Sequence, residues 1–125
     1  MDYLLIILKV IIFLGILNVW FLRFNKSTPY RGGESKSMKE EFAAYGLSES
    51  LMYAVGGVKV LSALVIFISI SYPSWTVYGA GVMTVLMIGA LFMHVKVGDP
   101  LMKSIPAFLM LLFSFILLAN SLGWF

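Results

Sequence analysis

The sequence contains no cysteine and a single histidine, His94. Without cysteine the chain forms no disulfide, thiolate nucleophile, iron–sulfur cluster or cysteine-based zinc site. One histidine without thiolate companions makes no metal-ligand set. The motifs of serine hydrolases, P-loop proteins and dinucleotide-binding enzymes are also missing. The sequence therefore predicts no metal and no intrinsic cofactor. It leaves enzyme activity open, with no independent catalysis as the favoured expectation.

Charge is also scarce, at 12% of residues, whereas hydrophobic residues make up 61%. The apolar residues form four continuous segments, each near the ~20 residues that a helix needs to cross a bilayer. We place the helices at about 3–24, 50–72, 75–95 and 100–122. Continuous rather than alternating hydrophobicity excludes a barrel. The sequence thus predicts an all-α, integral membrane four-helix bundle, with residues 1–125 as a single domain and the lipid bilayer as its first partner.

The basic residues outside the spans lie on one side only. They follow the first helix or separate the third from the fourth: Arg23, Lys26, Arg31, Lys36, Lys39, Lys96 and Lys103. The opposite side, including the turn at Tyr72–Ser74, has none, so the positive-inside rule places both termini on the non-cytoplasmic side. This asymmetry accounts for the net charge of +3. We therefore expect no nucleic-acid partner.

The connection over residues 25–49 is the only one long enough for structure of its own. It begins as a loop and continues as a short amphipathic helix, with Ser37 as N-cap, Glu40 completing a capping box and Gly46 ending the helix. Three apolar residues recur at helical spacing along it: Met38, Phe42 and Tyr45. This helix should therefore lie at the membrane interface or against the mouth of the bundle.

Lys59 is the first candidate for a ligand contact. The spans contain no Asp or Glu, and residues 60–72 alone would reach only ~20 Å, so Lys59 must lie within the apolar zone. Lys59 and Ser62 form one polar stripe with Ile66 and Ser69, and such a stripe faces protein rather than lipid. Lys59 and Ser62 are therefore predicted ligand contacts. The alternative is that Lys59 reaches the cytoplasmic headgroups and has no binding role.

Lys9 and Asn18 lie on opposite faces of the first helix, with Trp20 on the Lys9 side. Lys9 is only two turns from the outer end of the helix, so we expect it to extend to the headgroups. Asn18 shares its face with Gly15 and is the predicted interior residue. Its amide would join helices or contact a ligand.

The third helix is rich in small residues and methionine, for which close packing is the first explanation. His94 near its end could carry a proton or bond a ligand carbonyl, or be a solvated interfacial histidine. Asp99 is predicted to cap the fourth helix, with Pro100 at its first position. Pro106 either kinks that helix or marks its regular start.

Three segments, Lys36–Leu47, Val55–Lys59 and His94–Ala107, carry a resemblance to the DoxX-like family of small bacterial membrane proteins. The most specific pattern is His-x-Lys-x-x-Asp-Pro-x-x-Lys-x-x-Pro-Ala in the last of them. The resemblance implies a four-helix bundle in a bacterial inner membrane, of mostly unknown function. The wider group is named for small subunits similar to those of a membrane thiosulfate:quinone oxidoreductase.

Two main hypotheses follow. In the first, the bundle binds a quinone or lipid-like molecule near Lys59, His94, Asn18 and Ser62, and serves a membrane or soluble redox partner that supplies the electron-transfer cofactor. In the second, it is a structural or assembly protein without a ligand. A small transporter acting as a homodimer is a third reading.

Overall fold

The computed structural model describes residues 2–125, which form helices and no strands. Helix α1 covers Asp2–Leu17 and continues into a π-helical turn at Asn18–Leu22. The short helix α2 covers Met38–Ala44, and α3 covers Glu49–Ile68. A 3-10 turn at Pro73–Trp75 leads into α4, Thr76–Lys96, and the last helix, α5, covers Leu101–Ser121.

Four of these helical stretches are long and apolar enough to span a membrane: Tyr3–Leu22, Glu49–Ile68, Pro73–Lys96 and Leu101–Ser121. Twenty residues of α-helix reach about 30 Å, the thickness of the hydrocarbon core. The long helices pack as a closed ring, in which α1 contacts α3 and α5, and α4 contacts α3 and α5. This confirms the predicted four-helix membrane bundle.

The hydrophobic core draws residues from all four long helices and from α2, and the polar stripe that begins in α3 packs into it against α4. Ser62, Ile66 and Ser69 are all buried, as predicted for a stripe that faces protein. Gly79 of α4 packs directly on this stripe, because a Cβ there would stand 2.8 Å from Ile66 and 3.0 Å from the Ser62 carbonyl oxygen. Gly79 therefore has the predicted role of close helix packing, whereas a Cβ at Gly89 would meet no atom within 4 Å in residues 2–125.

The short helix α2 has the predicted ends. The Ser37 hydroxyl accepts a hydrogen bond from the Glu40 N–H at 3.2 Å, and Gly46 has φ of +79° just after the last turn. The Leu47 N–H then donates to the Phe42 carbonyl at 2.9 Å, which completes a Schellman motif. Three apolar side chains of the helix are buried: Met38, Phe42 and Tyr45. Of the two placements predicted, α2 takes the one against the mouth of the bundle.

The orientation of α1 corrects two predictions. Lys9 does not extend to the headgroups: it is 7% exposed, and its Nζ donates to the Ser69 carbonyl oxygen at 3.1 Å. The end of α3 offers carbonyls without intrahelical partners, which attract a nearby ammonium group. Trp20, on the same side, is also buried, whereas Asn18 is exposed. The Lys9 face of α1 is therefore the one packed in the core, whereas Asn18 lies outside the core and lines a cavity between the helices.

Candidate functional site

A cavity of about 710 Å³ occupies the basic end of the bundle. All four long helices line it, and α2 with the preceding loop closes it at the end. Its walls are mainly apolar, and its volume falls within the ~300–1,000 Å³ typical of small-molecule sites. We call this space the basic-end cavity.

Three of the four predicted ligand contacts line the basic-end cavity: Asn18, Lys59 and His94. Asn18 faces it from the π-helical turn, Lys59 from the middle of α3 and His94 from the last turn of α4. The cavity lining does not include Ser62, which is 6% exposed and lies where α3 packs on Gly79. Lys59 on the cavity wall and Ser62 in the helix–helix contact are three residues apart, a little less than one turn of α3.

Lys59 is half-buried, and its Nζ lies over the Trp20 ring, 5.8 Å from the ring centroid. Within residues 2–125 it forms no hydrogen bond and no ion pair. Trp20 can approach because Gly56 has no side chain: a Cβ there would stand 2.3 Å from the indole ring. The ring also walls a second, apolar groove of about 390 Å³ beside Phe24 and Tyr53. Trp20 thus stabilises the Lys59 ammonium through a cation–π contact, and the three N–H donors of the ammonium stay free for other partners.

His94 is held by a carboxylate. Its Nδ1 lies 2.7 Å from Asp99 Oδ2, and both side chains are almost fully buried. Burial alone would raise the pKa of Asp99, but hydrogen bonds from His94 and the Gly33 N–H, with the charges of His94 and Lys103, hold that pKa below its usual value. An ionised carboxylate only accepts, so Nδ1 carries the hydrogen. His94 Nε2, with no hydrogen bond inside the described chain, is left for the cavity.

The helix-capping prediction for Asp99 is wrong. Helix α5 begins at Leu101, Pro100 is its flanking residue rather than its first, and no side chain caps it. The Asp99 carboxylate instead bonds His94 and the Gly33 N–H, the latter at 2.9 Å. Pro106 does not mark the start either, since the helix runs through it and Pro106 lines the basic-end cavity.

A buried ion pair closes the end of the cavity. Glu41 Oε1 lies 3.1 Å from Arg31, while Oε2 accepts from the Gly32 N–H at 2.8 Å and from the Tyr45 hydroxyl at 2.9 Å. Burial and the Glu41 carboxylate raise the pKa of Tyr45, which keeps its phenol neutral. Sequence reasoning missed this cluster. The signal was present, because Glu41 lies three residues after Met38 and so falls on the apolar face of α2.

The closing segment, residues 23–45, consists of α2 and the loop before it, and two lysines attach it to α4 and α5. Lys96 Nζ donates to the Tyr45 carbonyl oxygen at 2.9 Å, and Lys103 Nζ donates to the Gly33 carbonyl oxygen. Lys103 also lies 3.9 Å from Asp99 Oδ1. These bonds hold the segment over the cavity and beside His94.

The fold defines a four-span helical membrane protein, and a cavity lies near one end of its bundle. The chain belongs to the DoxX-like family, whose sequence profile matches residues 27–117. The matched range includes α2, α3, α4 and most of α5, and therefore Lys59, His94 and Asp99. No match to a curated protein or to a solved structure was found.

Proposed function

We propose that this protein binds a hydrophobic molecule with an oxygen-bearing head, quinone-like or lipid-like, in the basic-end cavity. The supporting observation is that Lys59, His94 and Asn18 line one mainly apolar space. Lys59 Nζ and the Asn18 amide supply donors, and His94 Nε2 supplies a third polar contact. A few convergent polar groups in an apolar pocket are typical of sites for small molecules.

In this proposal the protein holds the molecule and carries out no electron transfer itself. Among residues 2–125, no group of three His, Asp or Glu side chains could hold a metal, and cysteine is absent from the sequence. We therefore place the cofactor for electron transfer to or from a quinone on a membrane or soluble partner protein. The chain would act as the membrane subunit of such a complex.

We also propose that the basic end faces the cytoplasm of a bacterial cell, with the chain in the inner membrane. Lys96 and Lys103 bond the same closing segment that carries Arg31, so the residues on which the positive-inside rule depends lie at one end. Both termini are then non-cytoplasmic, and the cavity lies in the cytoplasmic half.

The test is native mass spectrometry of the gently extracted protein, with chemical identification of any small molecule that co-purifies. Lys59→Leu and His94→Ala remove two of the cavity contacts. Lys39→Leu is the matched control, since Lys39 is half exposed and pairs only with the exposed Glu49. We expect a stoichiometric quinone or lipid on the natural protein and on Lys39→Leu, and its loss in Lys59→Leu.

Thermal unfolding of each variant in the same detergent separates loss of binding from loss of fold. If all four proteins carry the same nonspecific lipid, or none, then the binding proposal fails. The bundle is then better explained as a structural protein.

A further inference from the structure

The charged side chains around the basic-end cavity are unequal in number. Four cationic side chains line it, Arg23, Arg31, Lys59 and Lys103, against one carboxylate, Glu41. The carboxylate is already satisfied by Arg31, the Gly32 N–H and Tyr45. Lys103 is engaged by the Gly33 carbonyl and by Asp99. The cavity therefore holds excess positive charge that its own carboxylate does not balance.

Of the cationic side chains that line the cavity, Lys59 lies farthest from the basic end of the bundle. It stands in the middle of a membrane-spanning helix and forms no hydrogen bond or ion pair within residues 2–125. The face of Trp20 contacts its Nζ, and the Glu41 carboxylate acts on its charge only through space. A charge removed from water is costly unless it is paired and hydrogen-bonded. An aromatic face offers electrostatic attraction but accepts no strong hydrogen bond. An ammonium group in this setting favours an occupant that brings a negative oxygen.

We infer that the occupant of the basic-end cavity is an acidic amphiphile, with a carboxylate or phosphate head bound by Lys59 and its apolar part in the cavity. This inference rests on the proposed function and narrows its ligand to an anionic head over a neutral quinone. His94 Nε2 adds a second contact to the head when it carries a proton, and Asp99 positions the ring through Nδ1. The apolar part meets a wall that includes Met87, Met93 and Met110.

Tryptophan fluorescence tests the inference directly, because Trp20 touches both Lys59 and the cavity. Trp75 and Trp124 are exposed at the opposite end and would be replaced by phenylalanine, which leaves Trp20 as the only tryptophan for selective excitation. The protein is placed in lipid nanodiscs. The probes are undecanoate brominated at its chain end, its methyl ester, and a monoalkyl phosphate brominated in the same way. Bromine quenches indole fluorescence only at short range.

We expect the carboxylate probe to quench Trp20 fluorescence saturably. Its half-saturating concentration in the bilayer should be at least tenfold lower than that of the ester. Lys59→Met should abolish this preference, and Lys59→Arg should retain it. Comparison of carboxylate with phosphate identifies the head. Protein-free nanodiscs measure how much of each probe partitions into lipid, and the half-saturating concentrations are expressed per lipid.

Equal saturable quenching by acid and ester would overturn the anionic preference and leave the proposed cavity binding intact. A preference for the carboxylate over the ester that persists in Lys59→Met would also overturn the inference, because a group other than Lys59 would then bind the anionic head. Absence of saturable quenching by any probe, together with an empty protein in native mass spectrometry, would refute the proposed function itself.

Discussion

Gly56→Ala is the sharpest perturbation of the Lys59 environment, because it leaves every charged group in place. A Cβ at residue 56 would stand 2.3, 2.6 and 2.8 Å from three atoms of the Trp20 ring. The ring is rigid and 8% exposed, so the whole indole must move for the methyl group to fit. Overpacking of this kind costs about 1–3 kcal/mol.

The adjacent glycine supplies the control. A Cβ at residue 57 meets no atom within 4 Å. Gly→Ala in a helix interior gains about 0.5–1 kcal/mol from backbone entropy, and both variants receive this gain. The difference between Gly56→Ala and Gly57→Ala therefore isolates the clash with Trp20.

Thermal unfolding in one detergent should place the Tm of Gly56→Ala roughly 3–10 °C below that of Gly57→Ala. The near-ultraviolet circular dichroism of Trp20 should change in Gly56→Ala only. Equal Tm values and equal Trp20 spectra would refute the reasoning, since they would mean that Trp20 does not pack on Gly56. Lys59 would then lack its aromatic support.

Three further predictions concern single residues. The stabilising contribution of Asp99 should be fully present above its unfolded pKa, ~4, and be lost as pH falls through its lower folded pKa. Asp99→Asn should therefore make the free energy of unfolding less dependent on pH in this range. An unchanged pH dependence would contradict the pairing with His94. A water-soluble amine-reactive ester should modify Lys9 at least tenfold more slowly than Lys39, as mass spectrometry of peptides would measure; equal rates would mean that Lys9 reaches the headgroups. A phosphatase reporter fused after Phe125 should be active outside the cytoplasm, and activity of a cytoplasm-only reporter at that position would reverse the topology.

The fold was predictable because its main signal is continuous hydrophobicity, which does not depend on long-range contacts. The same holds for α2, whose cap at Ser37 and stop at Gly46 are local features. The rotation of a helix about its own axis, by contrast, does depend on long-range contacts. A period of 3.6 residues shows that Lys9 and Asn18 lie on opposite faces of α1, but both faces carry polar groups. The choice between the two faces depends on the Ser69 carbonyl, which accepts a hydrogen bond from Lys9 and lies 60 positions away from it in sequence.

The site was predictable only in part for the same reason. Lys59 and His94 stood out because each is a polar residue in an apolar segment. Asp99 resembled a helix cap, since Asp followed by Pro is a frequent start signal. Of its two actual partners, His94 is five positions away, but the Gly33 N–H lies 66 positions away and could not be inferred from local pattern.

The lysines that fasten the closing segment bond to main-chain oxygens. Lys96 contacts the carbonyl of Tyr45 and Lys103 that of Gly33, so neither bond depends on which side chain the segment presents at those positions. Cavity-facing side chains outside the buried Arg31–Glu41–Tyr45 cluster can therefore be exchanged while the attachment is kept. The surface that the segment presents to the cavity is then free to change during evolution, while the two lysines keep the segment in place.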